Sequence, residues 1–208
     1  MSSTFKNKDA IRIKSEAVMV ANTSDKPIKI TFRDVHENLS ISVSPNPIPA
    51  RSTAEMKFTV KADRSIWGKH TYKATPLIDG QAFVNPDGKN DIGIWAFTKE
   101  NFSNLTQEQK AQGPRPTFKE STYSFGKIKR GETVHASYTF KNDGKECFCV
   151  YKVNADARKW SHSSIPVAKP GEEVTFRIHL NTSSLPKGEH LTIVTLTTNS
   201  PLRPIVNL

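Results

Sequence analysis

The clearest signal in the chain is alternation. From Thr133 to Phe140, the apolar residues Val134, Ala136, Tyr138 and Phe140 alternate with Thr133, His135, Ser137 and Thr139. From Glu173 to Leu180, Val174, Phe176, Ile178 and Leu180 do the same. Successive side chains of a strand point to opposite faces, so period two with β-branched and aromatic residues predicts half-buried antiparallel strands. Turn-forming clusters separate the runs: Lys129–Glu132, Asn142–Gly144, Lys169–Glu172 and Leu185–Gly188. Leu191–Thr198 reads as a long strand, and Pro201–Leu208 as an edge strand, because Pro204 has no amide to give a central ladder. A strand is expected to run through Cys147–Val153 as well.

The first half repeats this plan more faintly. Ala17–Ala21 leads through Asn22–Asp25 to Pro27–Phe32, then a proline-rich loop, Glu55–Val60, Trp67–His70 and a strand from Thr71. Set side by side at an offset near 120 residues, Asn22 aligns with Asn142, Gly68-Lys-His70 with Gly188-Glu-His190, and Phe58 with Phe176. An internal repeat of this length predicts two copies of one sandwich unit. Asp91–Thr98 is expected to be the last strand of the first copy. The segment between the copies carries Thr106 with Gln109 three residues on, a capping box, and Gly113-Pro114 as a helix stop, which predicts one or two helical turns. The expected architecture is all-β, two tandem immunoglobulin-like sandwiches: 1–100 the divergent copy, 101–116 a linker with a short helix, and 117–208 the second copy.

The ordered series Tyr123-Ser-Phe-Gly-Lys-Ile-Lys-Arg-Gly-Glu132, Tyr138-Thr-Phe-Lys-Asn-Asp-Gly144, Lys169-Pro-Gly-Glu172, Gly188 and Thr197-Thr-Asn199 resembles the pattern of hydin-like (ASH, PapD-like) immunoglobulin-fold domains. It is most similar to an uncharacterised bacterial cell-envelope family built from tandem copies of them. The match covers about Pro116–Asn199 and is fainter over Met1–Gly80. The resemblance implies a PapD-like topology and export to the periplasm or cell surface, with a cytoplasmic location as the other option, and no known activity. Many relatives carry Cys-Gly-Cys-Thr after the third strand; this chain reads Asn154–His162 there, so no role of that motif is carried over. Glycines 126, 131, 144, 171 and 188 are expected at chain reversals, and Phe125, Phe140 and Phe176 in the core.

Composition narrows function mostly by exclusion. The 208 residues carry 30 Lys+Arg against 20 Asp+Glu, a formal net charge of +10. The excess is spread over both halves, whereas nucleic-acid binders usually gather it on one face or tail. No apolar run is long enough for a spanning helix, and Met1–Lys6 contains no stretch that would serve as a signal peptide, so any targeting segment would lie outside the sequence. Cys147 and Cys149 are the only cysteines; one residue apart on a strand, they are poorly placed for a mutual disulfide. Six histidines show no metal-binding spacing, and no nucleophile elbow or phosphate-cradling loop is present. No catalytic, metal or cofactor site is therefore expected, and no cofactor. Arg158, Trp160 and His162 pair a large aromatic with cations in one loop, as a surface contact would; the competing reading puts Trp160 in the core. The expected function is a noncatalytic protein-interaction or structural module whose partner is an unknown protein. The alternative is an anion-binding module for glycan, lipid headgroup or nucleic acid, with nucleic acid the less favoured ligand.

Overall fold

The computed structural model describes residues 13–61, 63, 65–83, 88 and 91–208. The N-terminal run Met1–Lys6 lies outside them. Two compact units result: one runs to Thr98, and the other comprises Lys99–Leu208.

In the first unit, β1 (Ile13–Ala21), β2 (Ile30–Arg33), β3 (Leu39–Ser44), β4 (Thr53–Lys61), β5 (Gly68–Ile78), β6 (Gln81–Ala82) and β7 (Ile92–Thr98) form two sheets. One has the order β1-β4-β3; in the other β5 pairs with β2, β6 and β7, and all pairings are antiparallel. Apolar side chains of both sheets meet in one core that includes Ile30, Met56, Phe58, Val60 and Tyr72.

The second unit contains α1 (Gln107–Gln112), β8 (Pro116–Phe118), β9 (Thr133–Asn142), β10 (Val150–Ala155), β11 (Trp160–His162), β12 (Glu173–Asn181), β13 (Val194–Thr198) and β14 (Ile205–Asn207). Its sheets run β11-β12-β9-β8 and β10-β13-β14, again antiparallel. Phe140, Phe148, Phe176 and Leu196 fill the space between them. The fold is all-β, a sandwich, with antiparallel sheets supplying both faces of each core. Helix α1 carries the expected capping box, with Thr106 Oγ1 accepting from the Gln109 amide and Gln109 Oε1 accepting from the Thr106 amide. The segment 101–116 is part of the second unit, where Pro114 and Pro116 are fully buried.

The repeat is written in hydrogen bonds at a constant offset of 120. Asn22 Nδ2 donates to Lys26 O (2.8 Å) and Ile48 O (3.1 Å), while Asn142 Nδ2 donates to Glu146 O (2.8 Å) and Ala168 O (3.0 Å). The bridge Ile28–Ile48 recurs as Phe148–Ala168. Asp79 Oδ1 accepts from Lys29 N, and Asn199 Oδ1 from Cys149 N. The same turn places Arg51 (φ 54°) in one copy and Gly171 (φ 79°) in the other; the glycine avoids the steric cost that Arg51 bears in the left-handed region.

Register corrects one alignment. Met56 faces Val18 as Phe176 faces Tyr138, so Met56 is the counterpart of Phe176, and Phe58 that of Ile178. Matching the two phenylalanines by identity slipped the strand by two residues, which keeps the same face and so left no sign in the pattern. Three local expectations also change. Phe125 is not in the core: it is 38% exposed, resting on Tyr123, which packs against Tyr138. The strand expected from Leu191 begins at Val194, with Leu191 82% exposed, and the one expected through Cys147 begins at Val150. Gly144 is required by close approach and has no positive φ: a Cβ there would collide with Gly113 O and lie 2.6 Å from Arg115 N.

Candidate interaction surfaces

Strand β11 positions Trp160 and His162. It lies against β12 with Trp160 opposite Leu180 and His162 opposite Ile178, which is buried, so both side chains lie on the core side of the sheet. Trp160 is half-buried and packs on the core; His162 is exposed and stacks on the indole at 5.9 Å between centroids, its Nδ1 donating to Ser163 O (2.7 Å). Arg158 is exposed. The structure thus joins Trp160 to His162 and turns the indole toward the core. Close by in sequence, Lys159 Nζ donates to Ser183 Oγ (3.0 Å), and Arg130 Nε donates to Ser183 O (3.1 Å). Two cations that are 29 positions apart converge on one residue, a grouping with no signature in the sequence.

The histidines sort into distinct environments. His36, His70 and Tyr72 form an edge-to-face aromatic group with centroids 4.9–5.5 Å apart. His190, expected to occupy a place equivalent to His70, instead sits outside any strand with Nε2 donating to Pro186 O (2.8 Å). His135 and His179 stand directly opposite each other on β9 and β12. Their rings are 4.7 Å apart and nearly perpendicular, with the two Nδ1 atoms in hydrogen-bond contact. Among the described residues, no three or more His, Cys, Asp or Glu side chains gather as metal ligands.

Cys147 and Cys149 flank the buried Phe148 and carry no disulfide. The buried Asn199 bridges their backbone, accepting from Cys149 N (2.9 Å) and donating to Cys147 O (2.9 Å). Alkylating the unfolded, unreduced protein should add label to both thiols; a mass showing neither labelled would establish a bridge. Beside them Tyr151 donates its hydroxyl to Glu100 Oε2 (2.7 Å), and Glu100 is buried. Burial, and then the adjacent carboxylate, push the phenol far above its ordinary range. Tyr151 therefore keeps its proton at physiological pH and serves as a hydrogen-bond donor, not a base.

The sheets also end in edges. Among the described residues β7 pairs only with β5, and β14 only with β13. Trp95, in the middle of β7, is 65% exposed, and the Lys69 ammonium lies 5.3 Å from its ring centroid. Among the described residues no helix is long and apolar enough to cross a membrane.

Comparison with known proteins adds family and fold. No curated protein matches the chain. A crystal structure of a protein of unknown function from Porphyromonas gingivalis W83 is similar to it in fold, with a TM-score of 0.65 and 15% identity over 94% of this chain and 89% of that one. Residues 116–206, from β8 to the middle of β14, match the family described as a protein of unknown function (DUF1573), so the second unit is similar to an uncharacterised family.

Proposed function

We propose that the protein is a noncatalytic interaction or structural module of the bacterial cell envelope that engages a protein partner along an open sheet edge. The compartment and the kinship to hydin-like, PapD-like domains rest on the sequence resemblance. The observation that carries the mode of action is the β7 edge. An edge strand offers unpaired amides and carbonyls in register, and side chains then select what pairs there. Trp95 supplies the selecting group, since a large exposed aromatic contributes much of a contact's energy once desolvated.

A photo-crosslinking residue at position 95, expressed in intact cells, should yield a discrete adduct that the same residue at Lys57 on β4 does not. Trp95→Ala should weaken partner binding by about 2 kcal/mol, roughly thirtyfold in Kd. It should leave the melting temperature nearly unchanged, because the indole is mostly in water. Equal adducts from both positions, or none, would sink the proposal.

A second reading is favoured by Arg130 and Lys159 meeting at Ser183. With exposed Arg158 and the Trp160–His162 stack nearby in sequence, they would form an anion-binding surface for a glycan, lipid headgroup or nucleic acid. Binding driven by phosphate or sulfate must fall steeply with salt. Retention on heparin that disappears in the Arg130→Ala/Lys159→Ala double variant would favour it over the edge.

A further inference from the structure

We propose that His135 and His179 form a two-ligand surface site for a divalent transition cation of the Cu²⁺, Ni²⁺ or Zn²⁺ type. Neighbouring antiparallel strands place the two imidazoles opposite each other, so the backbone ladder has already brought the ligands together. Both Nδ1 atoms point into the same space, which is why they now share a hydrogen bond. An ion bound at about 2.0–2.1 Å from each nitrogen needs the two atoms roughly 3 Å apart, a small opening of the present contact. The ring that donates in the hydrogen bond must move its proton from Nδ1 to Nε2 through solvent. Both Nδ1 lone pairs then face the ion, and no net proton is released when both rings are neutral.

The surroundings decide which ions fit. Ser161 lies in register with His179 on β11; the flanking pairs on the same face are Ser137 with Arg177 and Thr133 with Asn181. No carboxylate belongs to these pairs, and Arg177 adds positive charge. Hard cations such as Ca²⁺ and Mg²⁺, which require oxygen ligands, have nothing to hold them. Imidazole nitrogen suits Cu²⁺, Ni²⁺ and Zn²⁺, with Cu²⁺ the tightest. Two protein ligands leave the remaining coordination positions to water or to a ligand from another molecule.

The test is titration of the intact protein with Cu²⁺, Ni²⁺, Zn²⁺, Ca²⁺ and Mg²⁺, read by the melting temperature of the second unit and by the imidazole NMR resonances. The transition ions should raise the melting temperature, because binding only the folded state stabilises it, and should shift the signals of His135 and His179 together. His135→Ala, at an exposed position, and His179→Ala, at a half-buried one, should each weaken binding by about 100-fold, since losing even an outer-shell partner costs 10–100-fold. His162→Ala and His190→Ala should bind as the parent does. Binding unaltered by His135→Ala or His179→Ala, an equal response to Ca²⁺, or no response to any ion would each overturn the proposal.

Discussion

Asn142→Ala is expected to destabilise the second unit by about 3–5 kcal/mol, among the largest effects of any polar substitution in the chain. Asn142 is fully buried. Its amide nitrogen donates to Glu146 O and Ala168 O, and its oxygen accepts from Gly144 N and Arg115 N, both at 3.1 Å. Alanine leaves several of these groups without partners where water does not reach, and each such orphan costs about 1–3 kcal/mol. For a unit of this size, such a loss lowers the melting temperature by roughly 15 °C or more. Asn22→Ala removes the equivalent clamp of the first unit, where the amide nitrogen also donates to Pro49 O (3.0 Å) but the oxygen accepts from the adjacent Ser24 N and Oγ, with no long-range acceptor bond like that to Arg115. A smaller effect is expected there. Urea unfolding followed by fluorescence measures both, and a loss under about 1 kcal/mol for Asn142→Ala would contradict the account. The same variant should open residues 113–116 to protease, because Arg115 is held by the lost acceptor.

Deleting Pro204–Leu208 is expected to cost about 4 kcal/mol or more, a large part of the 5–15 kcal/mol that holds a typical domain together. Val206 is 2% exposed, and Leu208 packs on the same core. Leu208 and Val194 exchange both backbone bonds, and Thr198 N donates to Pro204 O. Removing the strand therefore strips the cover from Leu196 and leaves β13 paired on one side only, with β10. The segment completes the sheet, so truncation removes its packing and its outward amides together. Asn207→Pro removes only an outward amide. Pairing alternates along an antiparallel ladder, so the bonds at 194/208 and 198/204 leave the amides of Ile205 and Asn207 facing outward. Proline at 207 removes an outward donor and should change stability by about 1 kcal/mol or less beyond the loss of the Thr195–Asn207 side-chain bond. Calorimetry of the two variants checks this; a truncated chain as stable as the parent would show that β14 is dispensable.

The same contrast between local pattern and long-range placement explains what could be read from the sequence. Alternation identified β9 and β12, and the capping box at Thr106 and Gln109 placed α1, because those signals depend on residues only a few positions apart. The offset between Asn22 and Asn142 revealed the repeat, since a buried side chain that satisfies a turn's carbonyls can hardly be anything but asparagine. Phe125 shows the limit. It sits in a pattern that resembles a core motif, but whether a ring is buried depends on what lies over it, and here Phe125 rests on Tyr123 and stays 38% exposed. Leu191 fails for the same reason: it continues an apolar run that has no partner strand until Val194.

Local pattern thus sufficed for the all-β class, the short helix and the apolar faces of β9 and β12, because these follow from backbone sterics and local hydrogen bonding. Long-range packing makes Met56 the counterpart of Phe176, brings His135 to His179 across 44 positions, sets Tyr151 on Glu100, and draws Arg130 and Lys159 to Ser183. Each depends on strand register or loop closure. Those are set by the fit of whole faces against each other, and no local stretch of the chain records them.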